Sequence, residues 1–296
     1  MAGANDWGVI GLTMNLNGTA DAGDHLADYQ RQGFAVVRGV FDAADVAELA
    51  AAFDRQYIAG LTHPGDFRHG NLMVRLGSDA GLGRIVKMVQ WPSYTDAALA
   101  AFRTDMRLYR LLAPLLGSDI KQIINQLHWK QAGSQASDFA FHQDARFRKP
   151  PSCYRDLATS YVQTGIAVDP HTVESGALRV LPGSHRLGLV DLGSGAVMGD
   201  GAPEDALALA GLDPAGLTDI LLEPGDVAFW NPFLIHGSGR NRGLLDRRFY
   251  LNGYVRAADC DRGEWAWRDG LPCPLGAPVL VHYEQLLERP EPHYVA

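Results

Sequence analysis

The sequence predicts a mainly β protein: a double-stranded β-helix (jelly-roll, cupin-like) core with flanking N-terminal α-helices. Three observations predict it. Apolar residues recur at helical spacing before about Gly117, as Val46, Leu49, Ala50, Phe53 and Tyr57 do, and give way beyond it to strand-like alternation. His142 and Asp144 stand two positions apart, so on a strand or at its end both side chains leave the same face. A second histidine, His236, follows Asp144 by 92 positions, and a double-stranded β-helix brings strands so distant in sequence together across its mouth.

The elements follow in order. One domain is expected over 1–296, divided into an N-terminal arm (1–21), a helical flank (22–117), a β-helix core (118–256) and a C-terminal extension (257–296). A short helix from His25 ends at Gly33 and is followed by a strand, Phe34 to Val37. Asp42 is placed to cap the next helix, whose apolar stripe faces the core. Residues 61–83, rich in Gly, His and Asp, read as a loop in which His63, His69 and Asp66 are either solvated or a loose metal cluster. Thr104 is placed to cap a helix running to about Leu116, with Pro114 tightening its last turn. Strands then follow: Asp119 to Lys130, with Gln126 and His128 on one face; the His142 strand; and Tyr161 to Val168, with Tyr161 and Gln163 on one face. Residues 189–217 lack alternation and read as a cover over a substrate site or as a structural insertion. The tail, with Trp265, Trp267 and Tyr283, carries enough aromatic surface to pack on the core or on a second subunit.

Composition narrows the function. A formal charge of −8 without clustered Lys and Arg disfavours nucleic acid as a partner. No apolar run approaches the roughly 18 residues of a membrane span, and the first residues lack the basic and apolar regions of a signal peptide. Three cysteines, without Cys-x-x-Cys spacing, read as free thiols in a reducing cytoplasm. The expected partner is a small-molecule substrate, and the expected state a monomer or homodimer.

His-x-Asp alone occurs by chance in many chains. Joined by a distant His it makes the 2-His-1-carboxylate facial triad of non-haem Fe(II) oxygenases, which holds the metal on one face and leaves the other positions open. The later segment 222–239, which contains His236-Gly-Ser238-Gly, and the pair Arg247-Arg248 complete the pattern. In these blocks, together with Glu174-Ser-Gly-Ala-Leu-Arg-Val-Leu-Pro-Gly-Ser-His185, the chain resembles the phytanoyl-CoA dioxygenase family of Fe(II)/2-oxoglutarate oxygenases from about Tyr29 to about Val255.

The resemblance implies His142, Asp144 and His236 as ligands of Fe(II), with 2-oxoglutarate and O₂ as the other reactants. A buried distal carboxylate of 2-oxoglutarate needs a charged partner, and a guanidinium supplies it bidentately. Arg247 fits by its eleven-residue spacing from His236, while Arg248 points to the opposite face; Ser238 can add a hydroxyl. By family position Lys87 and Gln126 also reach the cosubstrate, an exposed strand lysine being the other reading of Lys87. Arg146 and Phe147 lead toward the pocket mouth, where the arginines serve either an anionic substrate or a solvated rim. His128 and Tyr161 are substrate-facing or packed. The family often has Trp at the place of Gly165, which leaves room here or is filled by a neighbour such as Tyr161. His185 belongs to a structural turn. The implied reaction is hydroxylation, or a related oxidation, of an unactivated C–H bond with decarboxylation of 2-oxoglutarate to succinate and CO₂; a carboxylate at Asp144 argues against halogenation, which needs that place open. The alternatives are a cupin-type metal enzyme without 2-oxoglutarate and a non-catalytic ligand-binding β-barrel.

Overall fold

The computed structural model describes residues 22–193, 195, 197, 198, 204–278 and 289–295. The N-terminal arm and Tyr283 lie outside them. The N-terminal part comprises helix α1 (Ala22–Gln32), strand β1 (Phe34–Val37), helix α2 (Ala43–Leu61), strands β2 (Phe67–His69), β3 (Leu72–Asp79) and β4 (Gly83–Gln90), and helices α3 (Ala97–Phe102) and α4 (Met106–Leu116). Then come β5 (Ile120–Lys130), β6 (Phe139–His142), α5 (Leu157–Ser160), β7 (Tyr161–Ala167), β8 (Leu178–Val180), α6 (Asp205–Leu209), β9 (Thr218–Ile220), β10 (Val227–Trp230), β11 (His236–Ser238) and β12 (Arg247–Arg256). Strands β13 (Glu264–Arg268), β14 (Leu271–Pro272) and β15 (His293–Tyr294) follow.

Two antiparallel sheets result. The large one runs β1-β10-β7-β12-β5-β4-β3-β2-β15, with β13 on β5 and β14 on β13; the small one runs β6-β11-β8-β9. From β5 to β12 the chain alternates between sheets, except that β8 and β9 are neighbours in the small one. Neither sheet closes on itself among the described residues. The inner faces meet through Ala167, Leu178, Val180, Ile220, Trp230 and Phe249. On the outer face of the large sheet, Leu49 and Phe53 of α2 and Leu108 and Leu112 of α4 pack with Val89, Leu127, Trp129 and Tyr250. The same strands thus bury one face under helices and leave the other to line a cavity.

Local chemistry sets the helix ends. Asp42 accepts from the Ala44 and Asp45 N–H groups while Asp45 reaches back to the Asp42 N–H, a reciprocal cap for α2. Gly33 ends α1 at φ +86°, and a Cβ there would meet His185 Nδ1 at 2.4 Å, so the 174–185 block seats its final turn against α1. Helix α4 starts one residue later than expected, capped by Asp105; the Thr104 hydroxyl instead donates to Ala100 O of α3.

Two further expectations are corrected, and one that was left open is narrowed. The 22–117 flank is not only helical, because residues 61–83, read as a loop, hold β2 and β3, whose Leu72 and Val74 are buried in the core with α2. Gly and Asp masked a short buried alternation there. His63 stacks on Phe67 at 4.5 Å, and Asp66 accepts from the Leu76 N–H, so these residues form a packed β-edge and not a metal cluster. Residues 189–217 are in part a structural layer: Leu207 of α6 is fully buried with Phe141 and Ile235 on the outer face of the small sheet.

The C-terminal extension packs on this chain. Arg103, 1% exposed, donates through Nε to Gln122 Oε1 (2.7 Å), Nη1 to Cys273 O (2.9 Å) and Nη2 to Trp265 O (2.8 Å), clamping β13 to β5. Replacing Arg103 by Met leaves one buried acceptor, Gln122 Oε1, and two half-buried carbonyls without this donor, the buried one costing about 1–3 kcal/mol and the others less. Urea denaturation of Arg103→Met is expected to show a loss of about 2–3 kcal/mol; a midpoint within experimental scatter of the parent would show that the clamp is dispensable.

Candidate metal centre

The small sheet supplies two imidazoles. His142 ends β6 and His236 begins β11, and the two are direct antiparallel partners, which brings their ring centroids to 4.2 Å. Each is oriented by its own backbone: His142 Nδ1 donates to Ala140 O (2.8 Å) and His236 Nδ1 to Leu234 O (2.9 Å), which turns both Nε2 atoms toward Asp144. Burial, then the neighbouring His236, pushes the His142 pKa down to about 3, so the ring is neutral as a metal ligand requires.

Past His142 the strand breaks into a 3-10 turn, Asp144–Phe147. The break is fixed by Gln143, which is buried; its amide donates to Gly188 O and Phe233 O and accepts from the Val190 N–H. Asp144 therefore turns back toward the histidines. Its carboxylate oxygens lie 3.8 Å from His142 Nε2 and 3.7 Å from His236 Nε2, and one ligand atom from each of the three side chains falls within 4.8 Å of the others. Trp230 Nε1 donates to Asp144 Oδ2 at 3.0 Å. Burial alone would raise the Asp144 pKa; His236, Arg148, His142 and the Trp230 N–H outweigh it and hold the carboxyl ionised. Two imidazoles and one carboxylate on one side of a cavity are a donor set that fits Fe(II).

The cavity is about 680 Å³ and runs between the sheets. Of the residues expected at the site, His142, Asp144, His236, Gln126, His128, Arg146, Phe147, Ser238 and Arg247 line it. Gln126 Oε1 lies 3.0 Å from His128 Nε2, and burial, then Arg247 and Lys130, pushes the His128 pKa down to about 3. Arg247 enters from β12, donates to Gly176 O, and has a buried Nε without a partner. Arg248 faces the other way, onto Asp169 at 2.8 Å and Asp54 at 3.1 Å.

Lys87 is not brought to this cavity. It is itself the bulged residue of β4, unpaired between Arg75↔Met88 and Leu76↔Val86, its stem over Gly77, and it lines a separate crevice with Ile85, Trp129 and Asp138. Tyr161 does not fill the space at Gly165 either. A Cβ at Gly165 would meet Phe249 Cζ at 2.0 Å, so the ring from the adjacent strand takes that room, while Tyr161 lies over Gly253 and bonds Gln163 (2.6 Å) and Arg148 (2.8 Å).

Two residues were missed. Trp230 stands six positions before His236 in a Phe-Trp-Asn-Pro run, and nothing local marks its N–H as a partner for Asp144. Lys130 was legible: the alternation that puts Gln126 and His128 on one face continues to it. It is fully buried, and its ammonium donates to Ser238 Oγ (2.7 Å) and Gly239 O.

The model of the family described as Phytanoyl-CoA dioxygenase (PhyH) matches residues 29–249. Among curated proteins, the dioxygenase lolE1 of Epichloe uncinata is 30% identical over 132 residues, 45% of this chain and 44% of that protein, so the match spans less than half of the relative's length. A probable alpha-ketoglutarate-dependent hypophosphite dioxygenase of Stutzerimonas stutzeri is 24% identical over 236 residues, 78% of this chain and 77% of its own. Among solved structures, the epimerase SnoN in complex with Fe3+, alpha ketoglutarate and nogalamycin RO superposes with a TM-score of 0.60 at 22% identity, covering 89% of this chain and 96% of that one. It shares the fold.

The Trp230 contact yields a test independent of turnover. Outer partners of metal ligands typically contribute ten- to a hundredfold in metal affinity, so Trp230→Phe is expected to weaken Fe(II) binding by about that factor. Anaerobic metal titration reads it; an unchanged affinity would show that Asp144 is held without the indole.

Proposed function

Since the chain belongs to the phytanoyl-CoA dioxygenase family of Fe(II)/2-oxoglutarate-dependent oxygenases, we propose that it hydroxylates, or otherwise oxidises, an unactivated C–H bond of a small molecule carrying an anionic group. One observation carries the reading: the His142, Asp144 and His236 donors lie within 4.8 Å of one another in the cavity that Arg247 enters as a buried cation. We also read the two sheets as the walls of a double-stranded β-helix, on the strength of their interleaved strand order. The three free cysteines accord with a reducing compartment such as the cytoplasm. No helix among the described residues is long and apolar enough to cross a membrane.

Bound together, Fe(II), 2-oxoglutarate and O₂ supply the oxidising power, with the 2-oxo acid leaving as succinate and CO₂. The chain's own residues hold and orient. His142, His236 and Asp144 supply the three protein ligands, and Trp230 fixes the carboxylate. Arg247 takes the distal carboxylate of 2-oxoglutarate, with Ser238 beside it. Phe249, packed on Gly165, forms an apolar wall of the cavity. Gln126 and His128 present polar atoms to whatever occupies the remaining volume.

The anionic substrate is argued from charge. Arg75, Arg146, Arg148, Lys149 and Arg247 line the cavity against one carboxylate, Asp144, in a chain of net charge −8. Only Arg247 is needed for the cosubstrate. The others give the cavity a sign opposite to the protein's, which draws in anions.

Two tests follow. Succinate formation should require Fe(II), and Arg247→Ala should weaken 2-oxoglutarate binding by roughly 2–5 kcal/mol, about 30- to 5,000-fold, whereas Arg248→Ala should leave it near the parent value. Iron-independent succinate formation, or the reverse ranking of the two arginines, would overturn the assignment. For the substrate, compounds are compared as pairs, free carboxylic acid against methyl ester, for stimulation of 2-oxoglutarate consumption. The acids should stimulate more, and Arg146→Glu should erase the difference; equal responses from acid and ester would remove the anionic reading.

A further inference from the structure

Lys130 and Arg247 are direct cross-strand partners at the ends of β5 and β12, and both are buried. Like charges placed opposite one another in a sheet repel, and buried charges are costly unless paired. Neither has a carboxylate within ion-pair distance among the described residues. Two acids flank this corner beyond ion-pair distance, Asp138 on the Lys130 side and Asp169 on the Arg247 side, and Asp169 is engaged by Arg248. The fold thus keeps two adjacent basic side chains at one end of a cavity and, among the described residues, supplies neither with an ion-pair partner.

Their polar neighbours show a direction. The Lys130 ammonium donates to Ser238 Oγ at 2.7 Å, to Gly239 O, and at 3.4 Å to Ser238 O, which takes up its three hydrogens. Ser238 Oγ therefore accepts from Lys130, and its own hydrogen is left to point elsewhere. Ser238 lines the cavity, and Lys130 does not. Arg247 has its buried Nε still without a partner.

We propose that Lys130 is a positioning residue for the distal carboxylate of 2-oxoglutarate: by donating to Ser238 Oγ beside Arg247 it makes the Ser238 hydroxyl a donor toward the cavity and adds a second positive charge behind it. The proposal rests on Arg247 holding that carboxylate. Ser238 touches the cosubstrate; Lys130 acts through it.

The test compares two ligands that differ at the distal carboxylate, 2-oxoglutarate and 2-oxobutyrate, titrated calorimetrically into Zn(II)-loaded protein so that no turnover occurs. In the parent protein 2-oxoglutarate should bind far more tightly. Lys130→Met should weaken 2-oxoglutarate by roughly ten- to a hundredfold, the scale of a lost charged hydrogen bond, and leave 2-oxobutyrate within about twofold. Ser238→Ala should reproduce the selective loss, and the double variant should lose no more than Lys130→Met alone, since both break one chain of donors. If Lys130→Met does not fold, Ser238→Ala and Ser238→Thr carry the test, the second restoring the hydroxyl and the affinity. Unchanged 2-oxoglutarate affinity in Lys130→Met, or equal losses for both ligands, would overturn the proposal. A parent protein that does not prefer 2-oxoglutarate, or an Arg247→Ala variant that keeps the preference, would overturn the cosubstrate reading itself and this inference with it.

Discussion

The pairing of His142 with His236 across the small sheet is the contact on which the rest of the site depends. It joins residues 94 positions apart at a single rung of an antiparallel ladder. A one-residue slip in that register would turn one imidazole to the outer face, where Phe141 and Ile235 now pack beneath Leu207. The hydrophobic layer outside the small sheet therefore also fixes the ligands inside it. Residues 189–217 contribute to this layer, while Gly195, Val197 and Met198 reach round to the cavity wall. One insertion does both things because the sheet it covers is one layer thick.

Once the histidines are placed, Asp144 follows from a local event. The strand stops because Gln143 spends its side chain on the backbone of two other segments, and the turn that results aims the carboxylate back. Trp230 then meets it from the opposite sheet. The metal ligands thus come from β6, the turn after it and β11, while the partner of Asp144 comes from β10 of the large sheet, and this geometry is sound only while the two sheets keep their spacing. The packing of Trp230 and Phe249 between them maintains it.

Charge is distributed against the global balance. Acidic side chains on this chain mostly serve caps and surface pairs, as Asp42, Asp96 and Asp105 do at helix starts and Asp169 does for Arg248. Inside the cavity cations predominate, and the low polarizability of the surrounding core keeps their field strong. Arg247 shows the cost: burial holds its guanidinium pKa well below the usual range, and the fold tolerates that where an anionic ligand is to be received.

The amino-acid sequence by itself determined that Arg247 and Arg248 face opposite ways, that Gln126 and His128 share a face, and that Asp42 caps α2. These depend on spacing within one strand or one helical turn, and a period of two or 3.6 residues is written in the chain; the grouping of His142 and Asp144 with the distant His236 was legible only through the resemblance of their motifs to a family. Only the tertiary structure decided that Lys87 lies beside a different crevice, because Lys87 is the extra residue of a bulge in β4 that shifts the register of β3 against β4 there. It alone decided that Phe249, not Tyr161, occupies the space over Gly165, that Trp230 holds Asp144, and that residues 61–83 join the sheet. Each of these is a contact between strands whose relative register is set by side chains packing across the sheets, and no short stretch of the chain carries that information.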